Sequence, residues 1–305
     1  MSVWDGVLVA ITTPFDAEEA VDRAALVRHA RWLVDRGVDG IIVGGSLGEG
    51  SALSAEERAQ LVRDLAGQLP RSVPLIAAVA AARTADAVEQ ARDAARQGAR
   101  GLLVLPPYVY RGDRVETSDH FAAVFGATEL PCMLYNNPPA YGTDVRPDQV
   151  HELAERCPTL TGVKESGGDP TRISELVARC GARLAIAVGL DPVIADGLRA
   201  GAVGWVAGLA NAFPDETIAL FRAGRSGDLE RLSALDTWFR PLLEMDAGPK
   251  FVQKIKLVQS EVGRGSPRVR RPRRELVGTE REEVLATLRA ALARRPEGVM
   301  SITRP

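Results

Sequence analysis

The chain has 305 residues, 46% of them hydrophobic and 26% charged, and its formal net charge is −2. A chain of this length and composition buries either one large α/β core or two smaller ones, which excludes a disordered protein. The near balance of acidic and basic residues provides no general attraction for nucleic acid or an anionic membrane, so we expect a small-molecule substrate.

Eight short apolar runs rich in Val, Ile, Leu and Gly alternate with amphipathic stretches rich in Ala, Arg and Glu. The runs predict strands at residues 6–15, 40–46, 74–81, 101–107, 131–138, 160–166, 184–190 and 202–208. The stretches predict helices at residues 23–35, 54–65, 84–96, 116–126, 147–156, 170–179 and 192–200. Eight such units with uninterrupted apolar strands are typical of a parallel (β/α)₈ TIM barrel, whose strands are buried on both faces.

Local signals mark several helix ends. Ser54 followed by Glu57 predicts a capping box at the start of the second helix. Glycines follow four predicted helices directly before a strand, where a positive φ costs little. We expect that conformation at Gly37, Gly98, Gly181 and Gly201.

After Phe213 the pattern changes to helices without strands, at residues 215–223, 228–245, 249–262 and 279–294. The first of these helices completes the barrel. The other three require a surface to cover their apolar faces. We therefore expect residues 1–225 to form the catalytic barrel and residues 226–305 a C-terminal helical appendage packed on the barrel or on a partner subunit.

The chain carries few signals for export or cross-linking. Its apolar runs are far shorter than the roughly 20 residues that span a bilayer, and MSVWDG lacks the features of a secretory signal, so we expect a cytoplasmic protein. Cys132, Cys157 and Cys180 are odd in number and show no CxxC spacing. This pattern predicts reduced, packed thiols rather than disulfides or a zinc site.

In a TIM barrel the chemistry lies where the strands run out into the βα loops. Lys164 ends the sixth predicted strand, and if Leu160 and Gly162 face the barrel axis, alternation turns Lys164 inward as well. Desolvation there disfavours the ammonium form and leaves an amine able to attack a carbonyl and form a Schiff base. The alternative is a lysine that extends to solvent or pairs with a carboxylate.

Two neighbouring exits offer matching groups. Tyr135 ends the fifth strand, and a phenol beside a forming iminium can move protons, although a core tyrosine is the commoner role. The segment GGSLGEG at residues 44–50 fits neither GxGxxG nor a P-loop. Its consecutive N–H groups near Ser46 suit a single carboxylate, and the alternative is a tight turn.

Other polar residues point less clearly to a site. His29, His120 and His151 fall inside predicted helices, away from the exits, and are not spaced as metal ligands, so we expect surface or interface residues. Residues 264–274 contain six arginines without an interleaved aromatic residue. This predicts subunit salt bridges or a solvated loop rather than a phosphate or nucleic-acid site.

The ordered motifs resemble those of the dihydrodipicolinate synthase / N-acetylneuraminate lyase family of Schiff-base barrels. They are VLVAITTPF at residues 7–15, GSLGE at 45–49, YNNP at 135–138 and GVKE at 162–165, followed by residues 189–191 and 204–211. The resemblance covers most of the chain, including the helical C-terminal part. It implies no metal and no organic cofactor, and assembly as a homotetramer or homodimer.

The resemblance also implies roles for individual residues. Lys164 would form the imine with a 2-oxo acid, Tyr135 would relay protons, Ser46 and neighbouring amides would hold the α-carboxylate, and the Val206 carbonyl would face the imine. The full set of candidate substrate-binding residues is Thr12, Gly45, Ser46, Leu47, Tyr108, Tyr110, Asn137, Gly189, Asp191 and Val206.

Three positions depart from the family pattern. Leu47 replaces the second hydroxyl of the usual GTTGE, and Val109 stands where synthases present a tyrosine to the partner subunit, with Tyr110 one residue on. Ala140 replaces the arginine that grips the aldehyde substrate's carboxylate in synthases. Because charge-assisted hydrogen bonds contribute about 1.5–3 kcal/mol each, its absence disfavours 4-hydroxy-tetrahydrodipicolinate (dihydrodipicolinate) synthesis.

The segments GGSLGE, PPYVY and YNNPPAYG resemble a branch of the family whose members are similar to 1-pyrroline-4-hydroxy-2-carboxylate deaminase. That resemblance implies a substrate with one carboxylate, and Leu47 and Val109 would line a smaller, drier pocket. A retro-aldol lyase for a 2-keto-3-deoxy sugar acid would use the same lysine and tyrosine. A non-catalytic 2-oxo-acid sensor is the alternative outside the enzymes.

Overall fold

Eight parallel strands close into a barrel in sequence order in the computed structural model, which describes residues 2–107 and 109–296. The strands are β1 (Gly6–Ala10), β2 (Gly40–Val43), β3 (Leu75–Val79), β4 (Gly101–Val104), β5 (Cys132–Asn136), β6 (Leu160–Glu165), β7 (Ala185–Val188) and β8 (Gly204–Ala207). Each lies within a predicted apolar run. The prediction of a (β/α)₈ TIM barrel is confirmed.

Helices surround the barrel and continue after its last strand. They are α1 (Arg23–Asp35), α2 (Ala55–Ala66), α3 (Thr84–Arg96), α4 (Arg114–Phe125), α5 (Pro138–Tyr141), α6 (Pro147–Arg156), α7 (Pro170–Cys180), α8 (Ile194–Arg199), α9 (Pro214–Ser226), α10 (Leu229–Leu243), α11 (Phe251–Glu261) and α12 (Gly278–Leu292). Of these, α5 was not predicted. In the described part of the chain, no helix is both long and apolar enough to cross a membrane.

The helix-end signals act mostly as predicted. Ser54 and Glu57 form the reciprocal capping box. Positive φ is confirmed at three of the four glycines, Gly37, Gly98 and Gly201. It is wrong at Gly181, which has a φ of −59° and donates its N–H to Val177. There the chain makes a further turn before β7 begins, so a left-handed stop is not needed.

Two apolar layers hold the barrel together. The larger lies between the strands and the surrounding helices, and the smaller fills the inside of the barrel. Trp4 lies in the inner layer, fully buried, and its Nε1 donates to Thr161 Oγ1 at 2.9 Å. A Cβ added to Gly162 would lie 3.0 Å from both Trp4 and Met133, so glycine at this point makes room for the indole.

The C-terminal helices cover the barrel on one side and at its mouth. Helix α10 contacts α8 and α9, and α12 packs on α10. Helix α11 reaches the loops that follow the strands, where Leu47 packs with Val252, Ile255 and Val269. Helix α11 therefore contributes side chains directly beside the strand exits.

Several surface predictions change once the helices are in place. All three cysteine thiols are free and buried, and burial raises the pKa of Cys132 to about 12. His29 and His120 are buried, so their prediction as surface residues is wrong, because the helix faces that carry them turn inward. His151 is exposed.

The arginines of residues 264–274 agree with the expectation in part, because Arg264, Arg268, Arg271 and Arg274 are exposed. We expected salt bridges to another subunit or a solvated loop, but the salt bridges of this segment are made within the chain. They join Arg270 to Glu57, Arg271 to Glu19 and Arg273 to Glu49. The segment therefore fastens the C-terminal part of the chain to the first two βα loops.

Candidate active site

Lys164 lies inside the barrel near the carboxyl end of β6. It pairs in register with Tyr135 of β5, and its Nζ lies 3.8 Å from the centroid of the Tyr135 ring. Only 7% of the lysine surface is exposed. Desolvation disfavours the charged form of an amine, while the face of an aromatic ring attracts it.

The alternation that turns Lys164 inward begins later than predicted. Leu160 belongs to the outer apolar layer, so its predicted orientation toward the axis is wrong. The pairing of β5 with β6 shifts between Cys132 and Met133, and this irregularity uncouples Leu160 from the residues that follow. Gly162 and Lys164 do share the inner face.

The Lys164 side chain packs closely against the exit of β7. A Cβ added to Gly189 would lie 2.5 Å from Lys164 Cε, so only glycine lets this exit approach the lysine. Among residues 2–107 and 109–296, no side chain or backbone group forms a hydrogen bond or salt bridge with Lys164 Nζ. The side chain is thus almost entirely buried, and its nitrogen has no anchoring partner in the described chain.

Hydroxyl-bearing residues at the exits of β2 and β5 form a connected set that includes Tyr135. Asn137 Nδ2 donates to the Tyr135 hydroxyl at 3.0 Å. The Tyr141 ring meets the Tyr135 ring edge to face, with centroids 5.8 Å apart, and the Tyr141 hydroxyl is hydrogen-bonded to Ser46 Oγ. The loops after β2 and β5 are therefore joined through side-chain oxygens next to Lys164.

Tyr141 was missed in the sequence, although local signals position it. Asn137 caps the short helix α5 by accepting the Ala140 N–H at 3.2 Å, and prolines occupy the first helical positions. Gly142 ends the helix with a φ of +72°. This single turn presents Tyr141 toward Ser46, whereas a continuous loop prediction leaves its direction open.

The loop after β2 leaves amide groups available. Gly50 N–H donates to Gly45 and Glu49 N–H donates to Ser46. By contrast, the N–H groups of Ser46 and Leu47 have no hydrogen-bond acceptor in the described residues. Consecutive amides of this kind bind anions.

Asp191 is the most firmly held acid of the site. Its fully buried carboxylate accepts hydrogen bonds from the N–H groups of Gly208 and Leu209 and from Trp205 Nε1. Burial raises the pKa of Asp191, and these donors oppose that effect. The predicted binding residue therefore ties the exit of β7 to that of β8.

A second acid, Asp246, was missed by the sequence analysis. It follows α10 in a short 3₁₀ turn, and its Oδ2 accepts the Asp191 N–H at 3.3 Å. Desolvation and the negative charge of Asp191 raise the pKa of Asp246 well above its usual value, while Lys164 acts in the opposite direction. No strand-exit pattern points to it because it comes from the helical appendage.

The side chains of three candidate residues contact groups other than Lys164 and Tyr135. The Thr12 hydroxyl donates to Gln259 Oε1 at 2.8 Å, and Leu47 packs against α11. The Tyr110 hydroxyl donates to Glu116 on the surface, which raises the pKa of Tyr110. Of the fourth-strand motif, Tyr108 lies outside the described residues.

Two further positions complete the placement of the candidates. Val206 belongs to the inner layer of the barrel, together with Tyr135. Val109 is 98% exposed in the single chain, and its place in a dry pocket stays a prediction. Its φ of +72° turns the loop after β4 outward at this point.

A polar network outside the barrel fixes the ends of β5 and β6. Asn136 Nδ2 donates to Glu165 Oε2 at 2.9 Å, and Asn136 Oδ1 accepts the Val145 N–H. Arg172 lies 3.4 Å from the same glutamate oxygen, and burial raises the pKa of Glu165. These bonds hold the two strands that carry Tyr135 and Lys164. In the described ranges, no group of three acidic, histidine or cysteine side chains could hold a metal.

Comparisons with known proteins agree with this architecture. The model of the Dihydrodipicolinate synthetase family matches residues 4–291. A curated relative, the 4-hydroxy-tetrahydrodipicolinate synthase of Methanoculleus marisnigri, is 32% identical over 94% of this chain and 99% of its own.

Solved structures are similar over the same extent. The 4-hydroxy-tetrahydrodipicolinate synthase of Methylacidiphilum fumariolicum SolV is 30% identical, with a TM-score of 0.88 over 95% of this chain and 97% of its own. YagE, an E. coli K12 protein of the dihydrodipicolinic acid synthase family in complex with pyruvate, is 25% identical. Its TM-score is 0.89 over 95% of this chain and 99% of its own.

Proposed function

This chain belongs to the dihydrodipicolinate synthetase family, and from that membership we propose that it is a lyase in which Lys164 forms a Schiff base with its substrate. The observation that carries the proposal is the state of the lysine. Its side chain is 7% exposed, and its nitrogen lies over the Tyr135 ring without a hydrogen-bonding partner in the described chain. An amine held in this way can lose its proton and attack a carbonyl carbon.

The neighbouring groups support this chemistry. The Tyr135 hydroxyl, held by Asn137, is the proposed proton carrier during formation and hydrolysis of the imine. The free N–H groups of Ser46 and Leu47 are the proposed site for the substrate's α-carboxylate. Tyr141, through its bond to Ser46, is proposed to orient that loop.

For the substrate, we propose 1-pyrroline-4-hydroxy-2-carboxylate. The feature that favours it is Ala140, which leaves position 140 without a cation for a second carboxylate. The cyclic imine has only one carboxylate, so it does not require that cation. The named relatives that are 4-hydroxy-tetrahydrodipicolinate synthases make that activity the second candidate, and Ala140 counts against it.

The proposed reaction balances without an oxidant or a cofactor. Lys164 attacks C2 of the cyclic imine, and the ring nitrogen departs from C2 as an amine on C5. The 4-hydroxyl then leaves as water, which produces a C3=C4 double bond. One proton moves from C5 and one from the C5 amine to C3 and C4, so that the amine becomes an imine. Two waters hydrolyse the remaining C5 imine and the lysine imine, which releases ammonia and 2-oxoglutarate semialdehyde. The net change is addition of one water and loss of one ammonia.

Imine formation is tested by borohydride reduction in the presence of pyruvate or the cyclic imine. We expect a stable adduct on Lys164 in the wild type, detected by mass spectrometry, and none in Lys164→Ala. The exposed Lys250, which pairs with Glu280 on the surface, provides Lys250→Ala as a matched control that keeps the adduct. A wild-type protein without an adduct would refute the Schiff-base mechanism.

Product analysis separates the candidate reactions. The wild type is incubated with 1-pyrroline-4-hydroxy-2-carboxylate, with 2-keto-3-deoxy sugar acids, and with pyruvate plus aspartate semialdehyde. We expect ammonia and a semialdehyde from the first compound alone. Pyruvate plus an aldehyde would instead establish a retro-aldol lyase. An adduct on Lys164 with no turnover of any compound would favour a 2-oxo-acid sensor.

We also propose that the protein works as a homotetramer or homodimer. The loop after β4 supports this, because Val109 and Tyr110 are 98% and 58% exposed in the single chain. Exposed apolar side chains that lie together commonly mark an interface. Light scattering on the purified protein tests the assembly, and a monomer at working concentration would contradict it.

A further inference from the structure

Two carboxyl groups, those of Asp191 and Asp246, lie on either side of Gly208 directly after β8. The Gly208 N–H donates to Asp191 at 3.2 Å, and a Cβ added to Gly208 would lie 2.5 Å from Asp246 Oδ1. Asp246 Oδ2 in turn accepts the Asp191 N–H at 3.3 Å. Glycine at position 208 is therefore what allows Asp246 to approach the strand exits.

The two acids have unequal surroundings. Asp191 is fully buried and accepts four short contacts from three N–H groups, which suit a carboxylate. Asp246 has only the long bond from the Asp191 N–H among the described residues, and it keeps part of its surface exposed. When two nearby acids share a site, the one whose charged form receives fewer hydrogen bonds retains its proton. Asp246 is that acid.

The pair also lies next to the proposed reaction centre. The Lys164 side chain packs on Gly189, two residues before Asp191 in the same strand exit. The charge of Lys164 acts to lower the pKa of both acids. Asp246 is thus an acid on the rim beside Lys164 that the fold does not use for an ion pair with any described residue.

We propose that Asp246 is a further catalytic residue, which donates its proton to the oxygen that leaves the substrate held on Lys164. This role rests on the proposed function. The C4–O bond breaks, and its electron pair leaves with the oxygen, which takes the Asp246 proton and departs as water. Before this, a proton leaves C3 to solvent and the lysine imine becomes an enamine. As the C4–O bond breaks, the C2=C3 electrons form the C3=C4 bond and the lone pair of the lysine nitrogen restores the C2=N bond. The Asp246 carboxylate then takes a proton back from solvent.

This assignment gives the helical appendage a chemical role. Asp246 comes from the turn Glu244–Asp246 between α10 and α11, and the barrel strands do not supply it. A purely structural acid would be expected to bridge several donors, as Asp191 does. Asp246 instead joins the site by one weak bond and presents its second oxygen without a partner in the described residues.

The test is the isosteric variant Asp246→Asn, which removes the acidic proton and keeps the side-chain shape. Glu244→Gln is the matched control, because Glu244 lies on the same turn and is exposed. Each protein is assayed with 1-pyrroline-4-hydroxy-2-carboxylate and with its 4-fluoro analogue. Fluoride can leave without prior protonation. The difference between the two compounds therefore isolates the effect of the proton donor. Borohydride trapping of the Lys164 adduct confirms that each variant is folded and forms the imine.

We expect Asp246→Asn to eliminate water about 10²–10⁴-fold more slowly than the wild type, the usual contribution of a general acid. It should eliminate fluoride at close to the wild-type rate, and Glu244→Gln should match the wild type on both compounds. Equal slowing on both compounds, no slowing on either, or loss of the adduct in Asp246→Asn would overturn the role of Asp246. A wild-type protein that forms the adduct and acts on neither compound would overturn the proposed function first.

Discussion

Two regions of the molecule each bury a lysine over an aromatic ring, and they use it differently. Lys164 Nζ lies 3.8 Å from the ring centroid of Tyr135 inside the barrel, and Lys256 Nζ lies 4.7 Å from that of Phe15 beneath α11. Lys256 donates to Glu49 at 2.7 Å and to the Thr13 carbonyl at 2.8 Å. Lys164 makes no corresponding bond with the described residues.

Burial alone therefore does not distinguish a reactive amine from a structural one. Burial lowers the pKa of Lys256, and the adjacent Glu49 opposes that effect. The ion pair occupies the Lys256 nitrogen and links α11 to the loop after β2. Lys164 is available because neither nearby acid forms a salt bridge with it: Asp191 accepts hydrogen bonds from Trp205 and Leu209, and burial and the charge of Asp191 raise the pKa of Asp246. The partners of a buried lysine decide its use.

The largest expected effect comes from replacing Lys164 itself. Lys164→Met removes the proposed nucleophile, so turnover should fall on the order of 10⁴-fold or more. The free energy of unfolding should stay within about 1 kcal/mol of the wild type, because a buried amine without partners contributes little to stability. Turnover and chemical denaturation, measured on the same preparation, check the expected loss of activity and the expected stability. Activity above one-hundredth of the wild type would assign the chemistry to another residue.

The same substitution at Lys256 should mainly lower stability. Lys256→Met removes the nearer cation of the buried Glu49 and leaves only Arg273, at 3.7 Å, so the free energy of unfolding should fall by about 3–5 kcal/mol. Chemical denaturation at fixed protein concentration measures the loss. Lys250→Met, at an exposed pair with Glu280, is the control and should change stability by less than about 1 kcal/mol.

The double variant Lys256→Met/Glu49→Gln sharpens this prediction. Removing both charges should recover part of the loss, since no uncompensated ion then remains buried. If the double variant is as unstable as the sum of its single variants, the pair has no coupling, and Lys256 acts only through packing.

Substitution of Tyr135 tests whether its hydroxyl carries protons during the reaction. Tyr135→Phe keeps the ring beneath the lysine and removes the hydroxyl, so turnover should fall roughly 100-fold. The borohydride adduct should still form, although more slowly. Tyr141→Phe is the matched comparison, because the Tyr141 hydroxyl is bonded to Ser46, whereas Lys164 lies over the Tyr135 ring. A larger loss in Tyr141→Phe than in Tyr135→Phe would exchange the two proposed roles.

The barrel and its central lysine could be predicted because local rules determine them. Apolar runs and helix caps recur with each βα unit, and Lys164 follows Gly162 on the inner face. Asp246, Lys256 and Gln259 could not be predicted in the same way. Their helices have apolar faces that fit several surfaces, and only tertiary packing brings them to the strand exits. The direction of Thr12 was open for the same reason, because its partner lies 247 positions later in the chain.

The smallest predicted effect concerns the polar network that joins the appendage to the barrel. His29 Nε2 lies 3.0 Å from Asn211 Oδ1 and 3.2 Å from Gln259 Nε2. Burial lowers the pKa of His29 to about 4, the nearby Arg264 acts in the same direction, and the bond to Asn211 opposes both. The imidazole is therefore neutral in the folded protein at pH 5 and above.

This shift makes stability depend on pH in a defined direction. Below its ordinary pKa of about 6.5, His29 binds a proton in the unfolded chain but not in the folded one, so acidification favours unfolding until the pH reaches about 4. Between pH 7 and pH 5 the wild type should lose about 2 kcal/mol more than His29→Gln. The exposed His151 provides the control, because His151→Gln should leave the pH dependence unchanged. If His29→Gln and the wild type lose the same stability over this range, the imidazole is already charged in the folded state, and the network holds α11 through an ion rather than through neutral hydrogen bonds.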